Sequence, residues 1–536
     1  MKYFSFLTFN LLLFANGLLL PSNAHADDSN FAAGVAALNA DGFDAKEAAI
    51  AKLAAIDHPR VIPVLKAMLA GDLSSRKEDD RIVIVADHPE GYRLTDVVSG
   101  EELGVAGKRD VSKVRINNSI RGLLRETIAS LSLSNPDTKI RLAAAGELLG
   151  NLDVESAAEV RRYLDAEQHP RVRVAMQAAL ALVDLQSEDP HTVIGAVGVL
   201  RGNLHPQVRG ALTRLGEHDD PEVRRHAAKA LSSIQTKLDF YSFIETLFFG
   251  LSLGSILVLA AIGLAITFGV MKVINMAHGE LIMLGAYTTY AIQQMFPNHI
   301  ELSLLMAVPA AFVVSGLAGV AIERGVIRFL YGRPLETLLA TFGISLILQQ
   351  LVRTVVSAQN VTVVTPQWLS GSWQINPVLS LTYNRLYILI FALMVFAGLM
   401  ALLRRTPMGL QMRAVSQNRA MAKAVGIRTE WVDALTFGLG SGIAGIAGVA
   451  LSQLTNVGPN LGQAYIIDSF MVVVFGGVGN LWGTLVGGLT LGVGNKFLEP
   501  MSGAVLAKIL WLVFIILFIQ KRPRGLFPQK GRAAED

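Results

Sequence analysis

The chain has 536 residues, 52% of them hydrophobic and only 17% charged, with a formal net charge of +4 and no cysteine. It is too apolar to be soluble throughout, and the lack of cysteine excludes disulfide frameworks, thiolate chemistry and Cys-based metal sites. Its basic residues flank apolar runs or sit among acids, which argues for membrane orientation and against nucleic-acid binding.

At the start, Lys2 precedes an apolar stretch from Phe4 to Leu20, then Pro21 and Ala24-His25-Ala26. This is the charged, apolar and small-residue order of a secretory signal peptide over residues 1–26, with cleavage expected after Ala26. An uncleaved anchor helix is the alternative. Either one places the segment that follows outside the cytoplasm.

Residues 27–239 are rich in Arg, Asp, Glu and Ala, which marks a soluble domain. Arg81-Ile-Val-Ile-Val-Ala86 and Tyr92 to Leu103 carry β-branched runs broken by His88-Pro89-Glu90-Gly91 and Ser99-Gly100, which predicts a small strand insertion. A theme then recurs. Asn135-Pro136 with Ile140-Arg141, His169-Pro170 with Val172-Arg173, His205-Pro206 with Val208-Arg209 and Asp220-Pro221 with Val223-Arg224 each precede alanines and leucines at helical spacing. Proline suits the first turn of a helix, and Asp or Asn before it can cap. The first two intervals are 34 and 36 residues, a helical-hairpin repeat length. The theme resembles HEAT-type repeats, with His58-Pro59-Arg60-Val61 as a weaker early copy. Such repeats present a concave surface to a protein partner, and a plain spacer is the alternative.

From 243 to 520 the apolar runs are long enough to cross a bilayer. Candidate spans are 243–270, 276–295, 302–323, 336–357, 385–403, 432–455 and 503–520, with a Gly-broken apolar stretch at 466–496. Lys and Arg gather at Arg324, Arg328 and Arg333, then across 404–428, then at Lys521, Arg522 and Arg524. Loops 296–301, 358–384 and 456–465 contain none. The basic loops are therefore expected in the cytoplasm and the others outside. Parity agrees if 466–496 enters and leaves on one side, as a re-entrant hairpin or as two short crossings.

Within the apolar part, Val273 to Tyr287 places Asn275, His278 and Glu280 where lipid or packed helices belong. Polar groups at that depth need a partner or a wet cavity, so they are candidate pathway residues. The alternative is a solvated turn between two spans. Thr341, Ser345 and Gln349 recur every four residues on one helix face and are candidates too. Gly476 and Gly477, in Phe475-Gly-Gly-Val-Gly-Asn480, mark a second break in the helices, as a central pathway requires. Gly438, Gly442, Gly445, Gly448, Gly483, Gly487 and Gly492 are expected to serve close helix packing.

The basic loop 404–431 contains one short helical pattern, Ala414 to Val425, ended by Gly426. It looks like the loop by which permeases of ATP-binding-cassette importers dock on their ATPases, although the usual Glu of the Glu-Ala-Ala-x-x-x-Gly signature is missing before Met421. Several stretches occur together in family order: Val273 to Tyr287, Arg333-Pro-Leu335, Ala340-Thr341, Gly343-Ile-Ser-Leu346, Arg413-Ala-Val-Ser-Gln-Asn418, Phe475 to Gly479 and Arg522-Pro-Arg-Gly-Leu-Phe527. Over residues 240–528 they resemble permeases of the high-affinity branched-chain amino-acid importers. The secreted helical extension and Ile466 to Phe475 look most like the urea-importer permease.

The resemblance implies an all-α fold: a polytopic helical permease domain (240–528) with a cytoplasmic tail (529–536), preceded by an extracytoplasmic HEAT-like domain (27–239) with a small β insertion. It implies partners as well: ATPase subunits, a second related permease, a periplasmic solute-binding protein, the inner-membrane lipid bilayer and a small-molecule substrate, with urea the first choice. Met412, Arg413, Val415, Gln417, Asn418, Arg419, Met421, Val425 and Gly426 are then the ATPase-coupling residues. No phosphate-binding Gly-x-x-x-x-Gly-Lys-Ser/Thr loop occurs, so ATP hydrolysis is expected on partner subunits. No enzyme constellation stands out; His278-Gly-Glu280 is too little for a metal site, and no cofactor is expected. Urea needs acceptors for its N–H groups and donors for its oxygen, which Asn, Gln, Ser, Thr and backbone supply. Importers of branched-chain amino acids or short amides, a passive urea channel and a membrane-anchored scaffold are the alternatives.

Overall fold

The computed structural model describes residues 24–528, and the chain divides into two units at Lys237/Leu238. The expected signal segment lies outside the described residues except for Ala24–Ala26, which open the first helix; the tail 529–536 lies outside them too.

In the first unit, α1 (Ala24–Ala37), α2 (Phe43–Ala54) and α3 (Val61–Ala70) precede an antiparallel sheet. Its strands are β1 (Leu73–Arg76), β2 (Ile82–His88), β3 (Gly91–Asp96), β4 (Glu102–Ala106) and β5 (Val111–Lys113), in the order β4-β3-β2-β1-β5. The expected strand insertion is present as β2 to β4, and β1 and β5 extend it. Those two are short and polar (Leu-Ser-Ser-Arg and Val-Ser-Lys), so no alternation announces them. Helices follow: α4 (Asn118–Ser132), α5 (Thr138–Leu148), α6 (Val154–Ala166), α7 (Pro170–Asp184), α8 (Pro190–Leu200), α9 (Pro206–Arg214) and α10 (Pro221–Met271), of which residues 238–271 belong to the second unit. Pro170, Pro206 and Pro221 open helices as their sequence context predicts, and Pro190 does the same.

The recurring arginine has a structural task. Arg141 donates to the carbonyls of Asn135 and Pro136, Arg173 to that of Glu167, and Arg224 to those of His218 and Asp219. Each reaches back to the turn before its own helix and satisfies carbonyls that the turn leaves unpaired. Ile50, Leu53, Leu65, Met68, Leu73, Ile120 and Leu124 form the core where helices and sheet meet.

The second unit continues with α11 (His278–Met295), α12 (Ile300–Gly325), α13 (Pro334–Val355), a hairpin of β6 (Ser372–Gln374) and β7 (Ser380–Thr382), and α14 (Tyr383–Arg405). Then come α15 (Pro407–Gln417), α16 (Arg419–Ala424), α17 (Thr429–Ser452), α18 (Gln463–Gly476), α19 (Leu481–Ser502) and α20 (Ala504–Lys521). Among the described residues, six helices are long and apolar enough to cross a membrane: α10, α12, α13, α14, α17 and α20. The seventh expected span, 276–295, is α11, and it falls short of that standard. Its polar residues are tolerated because protein surrounds it: His278, Glu280, Leu281, Ile282, Met283 and Ala286 are all buried.

The three basic segments share one face. Arg324 lies over Trp431 and Arg419 over Tyr331; Ser416 Oγ donates to Gly269 O at 3.3 Å, Gly269 packs against Gly479, and beside it Leu526 N–H donates to Phe475 O at 2.9 Å. On the opposite face Val361 pairs with Val457, and Gln293 exchanges hydrogen bonds with the backbone of Val364. The loop grouping expected from charge therefore holds. The small residues of α17 let helices close up as expected: a Cβ on Gly438 would meet Val320 and one on Gly442 would meet Phe312, both of α12. Gly488 and Gly492 give α19 the same closeness to α10.

Candidate functional site

Helix α10 ends at Met271, and Lys272 takes a left-handed φ of 56° that turns the chain back. Residues 272–277 are not helical, and they return into the unit beside α10. At the start of α11, His278 Nε2 hydrogen-bonds the carbonyl of Ala260 at 2.8 Å. Ala260 lies eleven residues before Met271, about 16 Å back along α10. Helix α11 thus begins deep within the bundle and not at its surface, so the solvated-turn alternative is excluded.

A second element does the same from the other side. After α17, residues 453–462 run back inward, and α18 starts at Gln463. Gly462 lies against Gly279: a Cβ on Gly279 would stand 2.6 Å from the Gly462 oxygen. The first turns of α11 and α18 therefore meet inside the bundle, each preceded by non-helical chain. Broken helices meeting in this way need internal partners for their free polar groups, and they form such partners or line a cavity.

Glu280 is the hub of that junction. Its Oε1 accepts from Ser345 Oγ at 2.7 Å, from Gln463 Nε2 at 2.9 Å and from Gln349 Nε2. Thr341 completes the stripe on α13, its Oγ1 accepting from Met276 N at 3.1 Å. All five predicted α11 and α13 side chains, His278, Glu280, Thr341, Ser345 and Gln349, are buried, whereas Gln463 is exposed and borders the site on the surface of this chain. The carboxylate gains from lying in the first turn of α11, where unpaired backbone N–H groups concentrate positive potential. Its Oε2 stands beside Gly462, where a Cβ would come within 2.8 Å. Glu280 Oε2, Asn275 Nδ2 and His278 Nδ1 are buried with no hydrogen-bond partner among the described residues. Buried polar atoms are rarely left so, which makes the segment from Asn275 to Glu280 a candidate site.

Glu280, Ser345 and Gln349 are thus brought together, and Thr341 holds the backbone of Ile274 and Met276 beside them; Asn275 accepts from Ala277 N–H in its own turn, and His278 faces α10 at Ala260. Gly476 and Gly477 are not part of this group. They form the turn between α18 and α19 on the basic face, with Phe527 N–H donating to Gly476 O at 3.1 Å and Gly477 at φ 105°. A glycine is required there by a sharp turn and not by a pathway. The second break belongs instead to Gly458–Gly462. Gln463 has one signal in the sequence, a polar residue opening an apolar run directly after that glycine-containing stretch.

The 404–431 loop departs from its expectation in three respects. The single helix expected over 414–425 is two, because Asn418 breaks it and caps α16, its Oδ1 accepting from Met421 N at 2.9 Å. Met412 and Val415, 2% and 4% exposed, pack against Ile262, Ile266 and Phe396 of their own chain and are closed to any partner. Arg413 and Arg419 are also engaged: Arg413 donates to Leu403 O, and Arg419 forms a fork on buried Asp433, with Nη1 3.0 Å from Oδ1. Met421 and Val425, by contrast, are 61% and 69% exposed, with Gln417, Asn418 and Gly426 exposed beside them. Gly426 has φ 89°, and Ile427 N–H returns to Ala422 O at 3.0 Å, the left-handed helix stop that glycine favours.

This architecture, membrane-length helices around two half-helices with a polar junction, defines a polytopic membrane transport unit. Residues 246–519 match the family model described as the branched-chain amino acid transport system permease component. The chain is 30% identical over 297 residues to the high-affinity branched-chain amino acid transport system permease protein BraD of Pseudomonas aeruginosa, and to LivH of Escherichia coli K12. Each match covers 54% of this chain and 96% of the relative. A probable branched-chain amino acid transport permease protein of Methanocaldococcus jannaschii is 26% identical over 291 residues, covering 51% of this chain and 88% of the relative. No solved structure matches. The chain belongs to the branched-chain amino acid transport permease family, and it is a transport subunit, not an enzyme.

Proposed function

We propose that this chain is the permease subunit of an ATP-driven importer that moves urea across the inner membrane through the Glu280 junction. The observation that carries this reading is the set of groups around Glu280: a carboxylate met only by neutral donors, from Ser345, Gln349 and Gln463. The two parallel N–H groups of a urea molecule match the two oxygens of a carboxylate, and the amide oxygens of Gln349, Gln463 and Asn275 accept further N–H groups. In this reading Asn275, Thr341, Ser345 and Gln349 border the pathway, Gln463 marks its open side, and a second related permease completes the wall. A solute-binding protein delivers substrate from the periplasm, where residues 27–239 lie as a HEAT-like repeat domain. Two ATPases dock below on Met421 and Val425.

The relatives' names favour a second reading, a branched-chain amino acid as substrate. Glu280 also suits that chemistry, since a carboxylate can receive an ammonium while helix N-termini receive a carboxylate. The decisive test is ATP-dependent uptake of radiolabelled urea and leucine by the importer purified with its partners and placed in liposomes. Urea uptake that requires ATP and is not displaced by leucine is expected. Uptake of leucine alone would replace the first reading with the second, and urea flux without ATP would indicate a channel.

A further inference from the structure

The site at Glu280 and the exposed helix α16 are far apart in sequence, yet a continuous series of contacts joins them. Arg419, the first residue of α16, forks onto Asp433 of α17 and lies over the ring of Tyr331, 3.9 Å from its centroid. Tyr331 belongs to the turn that opens α13, and that turn is tied to the helix. Arg333 N–H donates to Leu330 O at 3.0 Å, and Thr337 Oγ1 bonds Leu330 O and Arg333 O at 3.2 and 2.9 Å. One, two and three turns further on come Thr341, Ser345 and Gln349, the side chains that hold the 272–277 segment and Glu280.

Helix α13 is well suited to move. Its opposite side, with Leu335, Leu339, Phe342, Leu346, Ile347 and Leu351, is exposed in this chain. From Thr341 to Gln349 its inner side is held by hydrogen bonds to α11 and the half-helix junction, and only near its end do Leu348 and Val352 pack against Met283, Ala286 and Tyr287. Hydrogen bonds of this kind exchange readily for those of a donor-rich solute, whereas a packed apolar seam does not. By contrast α12 and α17 are locked by backbone-close packing at Gly316 and Gly319.

We propose that Tyr331 and Arg419 are positioning residues that carry the state of the ATPase-docking helix α16 to α13, so that tilting α13 withdraws Ser345 and Gln349 from Glu280 and frees it for the solute's N–H groups. The proposal rests on the reading of α16 as the ATPase-docking helix and, for its last step, on that of Glu280 as the substrate site; the movement of α13 is independent of which solute is carried. A cation stacked on an aromatic ring transmits position without fixing it, since the guanidinium slides over the ring at little cost. The Asp433 fork keeps Arg419 oriented while this happens.

The test uses the assembled importer in lipid, with paired spin labels at Leu346→Cys on α13 and Ile467→Cys on α18, both exposed in this chain and the chain otherwise free of cysteine. ATP is expected to change the distance between the labels in the parent protein. Tyr331→Ala is expected to abolish that change and to lower solute moved per ATP hydrolysed at least tenfold, with ATPase activity retained. Tyr331→Phe, which keeps the ring, is expected to behave as the parent. An ATP-driven distance change that persists in Tyr331→Ala, or that never occurs in the parent, overturns the proposal. If the distance changes as expected but urea and leucine both fail to move, the substrate reading fails and the α13 device stands.

Discussion

Glu280 is the residue on which the site turns, and its partners differ in how legible they were. Thr341, Ser345 and Gln349 announce themselves because a polar residue every fourth position on an apolar helix defines a face. Gln463 does not, because its contact with Glu280 is made by folding and spans 183 residues of chain. Three donors converge on one carboxylate oxygen, so changing it to an amide removes the negative charge that strengthens all three bonds. Glu280→Gln is therefore expected to lower uptake at least tenfold while the importer still assembles, as measured by transport and by co-purification of the subunits. Normal uptake would return Glu280 to a structural part. Glu126, outside the membrane helices, responds differently to its surroundings. Burial pushes its carboxyl pKa above the usual Glu value, against the opposing hydrogen bond from Asp153 N–H. The folded state then binds the proton more tightly than the unfolded one. Its contribution favours folding below the ordinary Glu value and is lost as pH rises through the raised one. Glu126→Gln, which keeps the acceptor oxygen and removes the charge, is expected to raise the unfolding temperature of the full chain at pH 7.5 and to leave it nearly unchanged at pH 4. A gain of equal size at both values would mean that charge is not the cause.

At the scale of the elements, the sequence announces most of the long helices but misplaces one of the two breaks. Phe475 to Asn480 is conspicuous because its glycines interrupt an apolar run, yet it is a turn on the basic face. The true partner of the 272–277 break, Gly458–Gly462, looks like any loop, since a chain that re-enters a bundle carries the same polar and glycine residues as one in water. The junction itself depends on Gly279 and Gly462 touching. A valine at 462 would drive its side chain into the Gly279 backbone and the Glu280 carboxylate, with an expected destabilisation of about 1–3 kcal/mol from overpacking. Gly462→Val should abolish uptake and lower the thermal stability of the purified chain, and unchanged values of both would mean that the half-helices do not need this contact. The loop residues divide by burial in the same way. Met412→Asp places a charge in an apolar core and should reduce folded yield, whereas Val425→Asp alters only an exposed position of the proposed docking surface. The latter is expected to fold normally and to lose binding-protein-stimulated ATPase together with uptake. Periodicity alone cannot separate Met412 from Val425, because a helix turn that packs on its own chain and one that packs on a partner carry the same apolar residues.

For the whole molecule, charge proved the more reliable guide, because the positions of Lys and Arg grouped the loops by face without knowledge of where any helix broke. That grouping fixes the sidedness once one segment is placed. The family match begins at residue 246, after the division between the units, so the relatives do not supply that placement for residues 27–239. We propose that placement from the apolar segment before Ala26 and from the parity expected of the crossings, which would put residues 27–239 in the periplasm. A chain without cysteine permits a direct measurement. Glu188→Cys, at an exposed position between α7 and α8, is expected to react with an impermeant thiol reagent in cells whose outer membrane alone is permeabilised. Lys423→Cys, exposed on α16, is expected to react only after the inner membrane is opened. Neither site is buried in this chain, and the reaction of Lys423→Cys once the inner membrane is opened is the control for cover by a docked ATPase. The reverse pattern would invert every crossing at once. It would put Met421 and Val425 outside the cell, where no ATP is available, and with them the docking surface on which the ATP-driven reading depends.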